Sequence, residues 1–478
     1  MTSKAIKFVW KNKILEIKNP DPNETLLNFI RLKLKKTGTK EGCAEGGCGA
    51  CTIVLAEEEK NNLNYKAINS CIAFVPMLHG KQLILVEDLL EKNGLLHPIQ
   101  KAMVDHHGSQ CGFCTPGFVM SLFAMHKKSS SFTEDHINDT LSGNLCRCTG
   151  YRPIIDAAKS LKNKKIIDSF ERFKEKTIRL LKKIKFTSIS INNGKKYFAP
   201  KNTKELKKIL NNNPNSKLLS GGTDLSLIVT KDRANLDSLI YIGGINELNY
   251  IKKNKFFIEI GANTPLVKVE DYIKKYYLDF NKILKRYGSK QIRNVATIAG
   301  NIATASPIGD TLPLLLSLDS AIVIESFKTK KSMKLQDFFV GYRKTRLKKK
   351  EFISSIKIPI YAKNIFKAYK ISKRFDDDIS SVCASFNFEI QNKKIKSVKI
   401  AFGGMSAIPK RAEHCEKILK NKEFSNEILD KAKESLFKDF APISDMRASR
   451  EYRIEIAKNL LAKCFDEIKN KKNLRLIN

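Results

Sequence analysis

The stretch Glu41–Leu55, EGCAEGGCGACTIVL, decides how the first part of the chain folds. It places Cys43, Cys48 and Cys51 in one short loop with four glycines, and Cys71 follows Cys51 after nineteen intervening residues. Glycine has no Cβ atom, so a glycine-rich loop can wrap closely around sulfur atoms and aim backbone N–H groups at them. The stretch therefore predicts that four thiolates hold one charged group.

The spacing of these cysteines is that of a plant-type [2Fe–2S] site, C-x4-C-x2-C with a distant fourth cysteine. The thiolate sulfurs of such a cluster accept hydrogen bonds that spread their negative charge, and backbone N–H groups can supply these bonds. Structural zinc is the alternative, but zinc normally takes two closely spaced pairs of ligands. We therefore predict a [2Fe–2S] cluster on Cys43, Cys48, Cys51 and Cys71.

A second group of four cysteines follows in two pairs, Cys111 with Cys114 and Cys146 with Cys148. Two pairs alone could also hold zinc. Both pairs, however, stand where the pattern predicts the start of a helix, in QCGFCTPG and NLCRCTGYRP. Free N–H groups and the helix dipole favour an anionic group at such a position. We predict a second [2Fe–2S] cluster on these four residues, with zinc as the alternative.

The composition argues against several other classes of protein. The 478 residues carry a net charge of +38, of which +3 lies in residues 1–158 and +35 in the rest. No zinc-finger, basic-zipper or RNP-type pattern accompanies this charge, so we expect no nucleic-acid partner and favour docking to an acidic subunit. The longest apolar runs, such as PLLLSL, are far too short to span a membrane, and the N-terminus lacks a secretory signal. We therefore expect a cytoplasmic protein.

The hydrophobic pattern divides the chain into four predicted domains and a linker. Strands around one helix predict a compact α+β domain over 1–83, and four short helical patterns predict a small bundle over 84–160. A lysine-dense, weakly patterned stretch at 161–190 is predicted to be a linker. Strands and small-residue loops follow over 191–363, and strands followed by helices follow over 364–478.

Two loops of small residues lie in the third predicted domain, SGGTD at Ser220–Asp224 and AGNIATASPIGD at Ala299–Asp310. Such loops let backbone amides approach a pyrophosphate closely, with Ser and Thr hydroxyls as further donors. No G-x-G-x-x-G follows a predicted strand, so a Rossmann-type dinucleotide site is not supported. Glycine-rich turns are common, and these loops by themselves indicate phosphate binding only weakly.

Longer motifs carry a resemblance to a known family. GCAEGGCGACTI, QCGFCTPGF and NLCRCTGYRPI resemble the iron–sulfur half of the molybdenum hydroxylases. KLLSGGTDLSL, RNVATIAGNIATASPIGD, GYRKT and AFGGMSAIPKRA resemble the FAD-binding domain of the same family and its C-terminal companion. The resemblance implies a multidomain α+β fold: a β-grasp ferredoxin-like domain, a four-helix [2Fe–2S] domain, a PCMH-type FAD-binding domain and an α+β C-terminal flavoprotein domain.

The resemblance also implies which residues contact FAD. Lys217 to Leu225 correspond to a first pyrophosphate loop, and a second loop ends at Asp310. The segment KRFDDDI, Lys373–Ile379, corresponds to a mobile acidic segment near the isoalloxazine, with a solvated acidic turn as the alternative. The implied FAD contacts are Lys217, Leu218, Leu219, Ser220, Gly221, Gly222, Thr223, Asp224, Leu225, Tyr287, Thr297, Gly300, Asn301, Asp310, Ile353 and Lys370.

In this family, such a chain is an electron-transfer subunit with two [2Fe–2S] clusters and FAD, paired with a molybdenum-binding large subunit that carries the molybdopterin. No stretch resembles the molybdopterin-binding region, and clusters and flavin share one chain, which favours the small subunit of the xanthine dehydrogenase type. Electrons from purine oxidation would pass through this chain to NAD, in a dimer of heterodimers, and no residue here need act on the purine. The alternatives are an aldehyde, nicotinate or CO dehydrogenase subunit, or a free-standing NADH:acceptor flavoprotein.

Overall fold

The computed structural model describes residues 2–91, 94–184 and 187–470, so the parts of the predicted domains at 1, 92–93, 185–186 and 471–478 lie outside the described residues. The chain divides into two compact units, Met1–Asn246 with Gly288–Ala296, and Glu247–Tyr287 with Thr297–Asn478. Both units combine helices with strands, which confirms the predicted α+β class.

The first unit contains the eight clustered cysteines. Its strands are β1 (Thr2–Ser3), β2 (Ala5–Trp10), β3 (Lys13–Lys18), β4 (Thr52–Glu59), β5 (Asn62–Asn69), β6 (Gln82–Ile84), β7 (Ser188–Asn193), β8 (Lys195–Ala199), β9 (Lys217–Leu219) and β10 (Ser238–Tyr241). Its helices are α1 (Leu26–Asn28), α2 (Pro98–Asp105), α3 (Thr115–Lys128), α4 (Glu134–Leu141), α5 (Arg152–Ser160), α6 (Ser169–Arg172), α7 (Lys174–Ile184), α8 (Thr203–Asn212) and α9 (Leu227–Thr230).

One sheet of this unit contains the strand that follows the first cysteine loop. Its strands lie in the order β3-β2-β6-β4-β5. The β2–β3 hairpin turns at Lys11 and Asn12, whose φ angles are 47° and 60°, and two positive φ angles give a tight turn that matches the twist of the strands. β4 begins directly after Cys51 and is buried from Thr52 to Ala56, because α3 packs against it. The cysteine loop is therefore anchored at a buried strand.

Helices α2 to α5 form the predicted bundle. α3 is buried from Gly117 to Ala124, and its aromatic side chains enter a core shared with α2, α4 and α5. Pro116 and Pro153 lie in the first turns of α3 and α5, where proline loses no helical hydrogen bond. The four helical patterns read within 84–160 are confirmed by these helices.

The stretch 161–190 is not a weakly structured linker, which corrects the prediction. Helices α6 and α7 lie in it, and α7 buries Ile178, Leu181 and Ile184 in the same core as α3. These residues recur at every third position, so they share one face of the helix. The exposed lysines between them hide that pattern in the sequence.

A second sheet of the first unit leads to the first small-residue loop. Its strands lie in the order β1-β7-β8-β10-β9, with β1 parallel to β7. α8 begins after Asn202, whose side chain accepts a hydrogen bond from Glu205 N at 2.8 Å, as the capping pattern predicts. β9 runs parallel to β10 and ends one residue before Ser220.

The second unit contains the second small-residue loop. Its strands are β11 (Ile251–Lys253), β12 (Phe257–Gly261), β13 (Ala321–Glu325), β14 (Lys330–Lys334), β15 (Phe339–Gly341), β16 (Lys344–Thr345), β17 (Phe352–Pro359), β18 (Ile365–Ile371), β19 (Val382–Gln391), β20 (Lys394–Gly403) and β21 (Lys410–Arg411). Its helices are α10 (Leu266–Ile273), α11 (Leu278–Lys285), α13 (Ile298–Thr304), α14 (Thr311–Ser317), α15 (Glu413–Leu419), α16 (Asn426–Asp439) and α17 (Arg450–Asn470). Between α11 and α13 in the chain, α12 (Lys290–Arg293) belongs to the first unit.

Two sheets form most of the strand structure of the second unit. One has the order β11-β12-β17-β13-β14, and the other has the order β18-β19-β20-β21. The strands predicted from VCASFNFEI and SVKIAFGG are β19 and β20, and their phenylalanines form a core with α15, α16 and α17. Across residues 2–91, 94–184 and 187–470, no helix combines the length and the apolar character that crossing a membrane would require.

Replacing Leu181 of α7 by alanine should lower the free energy of unfolding of the first unit by about 2–5 kcal/mol, because the change leaves a cavity in a shared core. Trp10, the single tryptophan of the chain, lies in β2 of this unit, so its fluorescence in a urea titration reports the transition. Arg179→Ala, on the exposed side of the same helix, is the matched control. Equal urea midpoints for the two variants would contradict the packing of α7.

Candidate iron–sulfur and flavin sites

The four thiols of the first cysteine group lie together in the first unit. The Sγ atoms of Cys51 and Cys71 are 3.3 Å apart, and Cys43 is hydrogen-bonded to both Cys48 and Cys71. Cys51 and Cys71 are buried, whereas Cys43 and Cys48 are partly exposed. Hydrogen bonds from the neighbouring thiols lower the pKa of Cys43, and the same bonds raise the pKa of Cys48 and Cys71.

N–H groups point at these sulfurs from the backbone and from one side chain. Gly47 N and Glu45 N lie 3.3 and 3.5 Å from Cys43 Sγ. The side-chain amide of Asn69 donates to Cys51 Sγ at 3.8 Å. Four neighbouring thiols, with N–H donors to Cys43 and Cys51, fit an anionic [2Fe–2S] cluster. Asn69 was not predicted from the sequence, because nothing in the pattern distinguishes it from other residues at the end of a strand.

The first cysteine loop wraps closely at positions that lack a side chain, among them Gly42 and Gly49. A Cβ atom on Gly42 would lie 2.8 Å from Cys48 Sγ. Gly49 has a φ of +70°, a conformation that residues with a Cβ atom rarely adopt. A side chain at either position would displace the loop from the sulfurs.

The second cysteine group lies just before α3 and α5. Cys114 is hydrogen-bonded to Cys146, and Cys111 is hydrogen-bonded to Cys148. Burial and the Cys146 thiol raise the pKa of Cys114 to about 12. Thr149 lies beside Cys146: its backbone N is 3.5 Å and its Oγ1 is 3.1 Å from Cys146 Sγ. These thiols and donors fit a second anionic cluster.

The first predicted FAD loop, Lys217–Leu225, lies in the first unit. Its first three residues form β9, and the loop turns at Gly222, whose φ is +76°. A Cβ atom on Gly221 would lie 2.1 Å from a backbone carbonyl oxygen, and one on Gly222 would lie 3.1 Å from Ile72 O. The loop therefore packs beside the residue that follows Cys71, and its two glycines allow that close approach.

The other predicted FAD residues lie in the second unit, where Asp310 and Lys370 form a buried ion pair. Lys370 Nζ lies 2.7 Å from the Asp310 carboxylate and donates to Arg286 O at 2.9 Å. Ser380 Oγ donates to the other carboxylate oxygen of Asp310 at 2.5 Å. Because a buried charge is stable only when it is paired, these contacts hold both side chains in fixed positions.

The remaining predicted FAD residues occupy several elements of the second unit. Thr297 caps α13 by accepting a hydrogen bond from Gly300 N at 3.0 Å, and Asn301 accepts from a threonine hydroxyl of α14 at 2.5 Å. Ile353 is buried in β17 where that strand pairs with β13. Tyr287 follows the end of α11 and is partly exposed. Small and polar groups at the start of α13 suit a phosphate or ribityl chain.

The acidic segment Lys373–Ile379 is irregular and is contacted by Arg286, which the sequence did not single out. Arg286 Nε donates to Phe375 O at 2.8 Å, and its guanidinium lies 4.4 Å from the centre of the Phe375 ring. Within the segment, an Asp378 oxygen accepts from Arg374 N at 2.8 Å. Arg286 also contacts the Lys370 backbone, so it links this segment to the buried ion pair.

Four family models match the chain in sequence. A "2Fe-2S iron-sulfur cluster binding domain" matches 9–76, and a "[2Fe-2S] binding domain" matches 85–159. An "FAD binding domain in molybdopterin dehydrogenase" matches 188–361, and a "CO dehydrogenase flavoprotein C-terminal domain" matches 367–468. These matches confirm the predicted order of two iron–sulfur domains, an FAD-binding domain and a C-terminal flavoprotein domain, while the individual cofactor contacts stay predictions.

Curated relatives of the chain are xanthine dehydrogenases. That of Blastobotrys adeninivorans is 32% identical over 565 residues, that of Emericella nidulans 33% over 484 and that of Oryza sativa subsp. japonica 32% over 529. The alignments cover 95%, 88% and 94% of this chain. They cover 40%, 35% and 39% of the relatives, so the chain spans about two fifths of the length of the curated relatives it matches.

Solved structures with a similar fold are chains of two other oxidoreductases. Carbon monoxide dehydrogenase from Hydrogenophaga pseudoflava, in a form that lacks the Mo-pyranopterin moiety, superposes with a TM-score of 0.54 and 24% identity, over 57% of this chain and 96% of that chain. Quinoline 2-oxidoreductase from Pseudomonas putida 86 superposes with a TM-score of 0.53 and 22% sequence identity. That superposition covers 57% of this chain and 95% of the other chain. These likenesses establish the fold of the matched part.

Replacing Cys71 by serine should lower the iron content from about four to about two atoms per chain, because a hydroxyl replaces one thiolate ligand of the first cluster. Iron analysis of the purified protein, with circular dichroism to verify folding, measures the effect. Cys415→Ser is the control, since Cys415 is buried in the core of the second unit. Unchanged iron in the Cys71 variant, or zinc in place of iron, would contradict the assignment.

Replacing Lys370 by methionine should destabilise the second unit by about 3–5 kcal/mol, because the Asp310 carboxylate is left buried without its counter-ion. Thermal unfolding and the flavin content of the purified protein are the measurements, and exposed Lys363→Met is the matched control. Adding Asp310→Asn to Lys370→Met should restore part of the stability but not the bound FAD. Full flavin content in the single variant would refute a role for this pair in FAD binding.

Proposed function

The chain carries the iron–sulfur and FAD domains of the molybdenum hydroxylase family, and on that basis we propose that it is the electron-transfer part of a xanthine dehydrogenase. Hypoxanthine or xanthine is oxidised at a molybdenum centre on a partner subunit, and electrons leave through this chain to NAD. The 32–33% identity to curated xanthine dehydrogenases supports the purine as substrate. An assembly of two such heterodimers, in the cytoplasm, completes the proposal.

One juxtaposition carries the proposal: the first cysteine group lies next to the first predicted FAD loop. Ile72, the residue after Cys71, has its carbonyl oxygen 3.1 Å from the Cβ position of Gly222. The second cysteine group lies in the same unit, and Leu145 N donates to Cys48 O at 3.0 Å. These contacts support the order second cluster, first cluster, FAD.

The residues of this chain hold the cofactors and set their surroundings. When bound, the clusters relay single electrons and FAD exchanges electrons singly or in pairs. Eight thiolates would ligate the iron, while N–H groups such as Gly47 N and the Asn69 amide offset the negative charge on the sulfurs. The Lys217–Leu225 loop would receive the pyrophosphate, and Asp310 with Lys370 would orient polar groups of FAD.

The predicted metal-binding cysteines agree with the proposed cytoplasmic location. All eleven cysteines lie among the described residues as free thiols. Thiols that bind metal persist in the reducing cytoplasm, where structural disulfides are rare.

The experiment that tests the proposal uses the chain purified together with its molybdenum-binding partner. The complex should be brown, contain flavin and about four irons per copy of this chain, and reduce NAD with hypoxanthine. If an aldehyde, nicotinate or carbon monoxide reduces NAD in place of hypoxanthine, that compound is the substrate and the purine assignment is wrong. A colourless preparation, or a chain that oxidises NADH at full rate without any molybdenum subunit, would overturn it.

In this complex, Cys71→Ser should abolish NAD reduction by hypoxanthine while NADH still reduces a dye that takes electrons directly from flavin. The reason is that the first cluster lies between the second cluster and FAD in the proposed order. The Cys415→Ser complex should retain both activities. Equal loss of both activities in the Cys71 variant would indicate a general folding defect and contradict the order.

A further inference from the structure

We propose that Gln291 is a positioning residue that locks the two cysteine loops together and so fixes the separation of the two clusters. The inference rests on the proposed function, since it takes both cysteine groups to hold iron. Gln291 lies on α12, within the residues matched by the FAD-binding family, yet α12 belongs to the first unit with all eight cysteines. Nothing in the cysteine motifs points to it.

Gln291 is the centre of a buried polar hub that also contains Thr52, Ser121 and Asn144. All four residues are at most 2% exposed. Gln291 Nε2 lies 3.0 Å from Asn144 Oδ1, 3.2 Å from Ser121 Oγ and 3.4 Å from Thr52 Oγ1. One side-chain amide therefore contacts three elements that are otherwise far apart in sequence.

The other members of the hub complete a consistent set of donors and acceptors. Thr52 Oγ1 donates to Gly49 O at 2.6 Å, and Ser121 Oγ donates to Asn144 Oδ1 at 2.7 Å. The Asn144 amide donates to Gly49 O at 3.1 Å. The hydroxyl protons of Thr52 and Ser121 are therefore both donated in hydrogen bonds. Their oxygen atoms accept hydrogen bonds from the amides of Gln291 and Asn144. Such networks are strong in a low-dielectric interior and hold one geometry.

The hub is directly attached to the predicted cluster ligands. Thr52 follows Cys51 in the chain, and Asn144 precedes Cys146 by two residues. A backbone hydrogen bond from Leu145 N to Cys48 O, 3.0 Å long, joins the two loops beside the hub. A change in the hub therefore moves ligands of both clusters, and electron transfer between clusters falls steeply with their separation.

Glycines at the meeting point show how closely the loops approach. A Cβ atom on Gly49 would lie 2.2 Å from Gly143 O, and one on Gly143 would lie 2.4 Å from Gln291 Oε1. These distances are shorter than any side chain allows without movement. The two loops are consequently in backbone contact, and the Gln291 side chain packs against the second loop at Gly143.

α12 itself is fixed by charge and by a second amide, so Gln291 acts from a rigid base. Asp139 of α4 pairs with Lys290 at 2.7 Å and also with Arg293, which is fully buried. Asn294 donates to Ala67 O of β5 at 2.8 Å. The Asn294 bond anchors the same segment without touching either cysteine loop, which makes Asn294 a suitable control.

The experiment compares Gln291→Met, which keeps the length of the side chain but removes its donors, with Asn294→Ala. Low-temperature EPR of the dithionite-reduced full chain measures the magnetic interaction between the clusters, and redox titration measures their potentials. Hydrogen exchange of the Leu145 amide measures loop contact independently of iron. In Gln291→Met, we expect full iron content, an altered EPR splitting and about tenfold faster Leu145 exchange, the loss of roughly one buried hydrogen bond.

Asn294→Ala should leave the splitting, the potentials and the Leu145 exchange as in the unmodified chain. Should Gln291→Met fail to fold, Ser121→Ala removes one hub bond from α3 and should change the same readouts in the same direction. Unchanged splitting and exchange in both hub variants would overturn the inference. An unmodified chain with fewer than two clusters would instead overturn the proposed function, and Leu145 exchange would still decide whether Gln291 couples the loops.

Discussion

The close approach of like-charged sulfurs is the constraint on which the first unit depends. Cys43 is hydrogen-bonded to Cys48 and Cys71, and Cys51 is hydrogen-bonded to Cys71. As thiolates these four residues would repel each other without iron and N–H donors. The loop can supply those donors only where Cβ atoms are missing, as at Gly42 and Gly49. The same glycine backbone also lets the second cysteine loop approach at Gly143. One backbone requirement therefore governs the positions of both cysteine groups.

The candidate site of the second unit is a buried ion pair instead of a group of thiols. Asp310 has both carboxylate oxygens engaged, one by Lys370 and one by Ser380. An ammonium has three N–H donors, and Asp310 and Arg286 O accept two of those from Lys370. A buried ion pair of this kind adds little net stability, which agrees with its proposed role in orienting FAD.

Local patterns were predictable from the sequence, and long-range contacts were not. The cysteine groups, the helix starts at Pro116 and Pro153 and the Asn202 cap were recognised because each lies within a few consecutive residues. Asn69 and Arg286 were missed because their partners are decided by the fold: Arg286 contacts Phe375, 89 residues away. The linker at 161–190 was mispredicted for another reason, since its apolar residues do follow a helical period but are diluted by lysine. The predicted domain bounds rest on the hydrophobic pattern and the FAD contacts rest on resemblance, and both remain predictions.

The chemistry of Gln291 indicates why an amide stands at the hub when an apolar side chain would fill the same space. Its Oε1 is buried and lacks a hydrogen-bond partner among the described residues, which costs about 1–3 kcal/mol. A methionine or leucine would avoid that cost, so the amide is a poor choice for stability alone. Its Nε2, in contrast, contacts acceptors on three separate elements, and an apolar group would let those elements slide. Directional hydrogen bonds fix the relative position of the two cysteine loops, whereas apolar contact would only keep them close. A relay between two clusters requires that their separation is fixed.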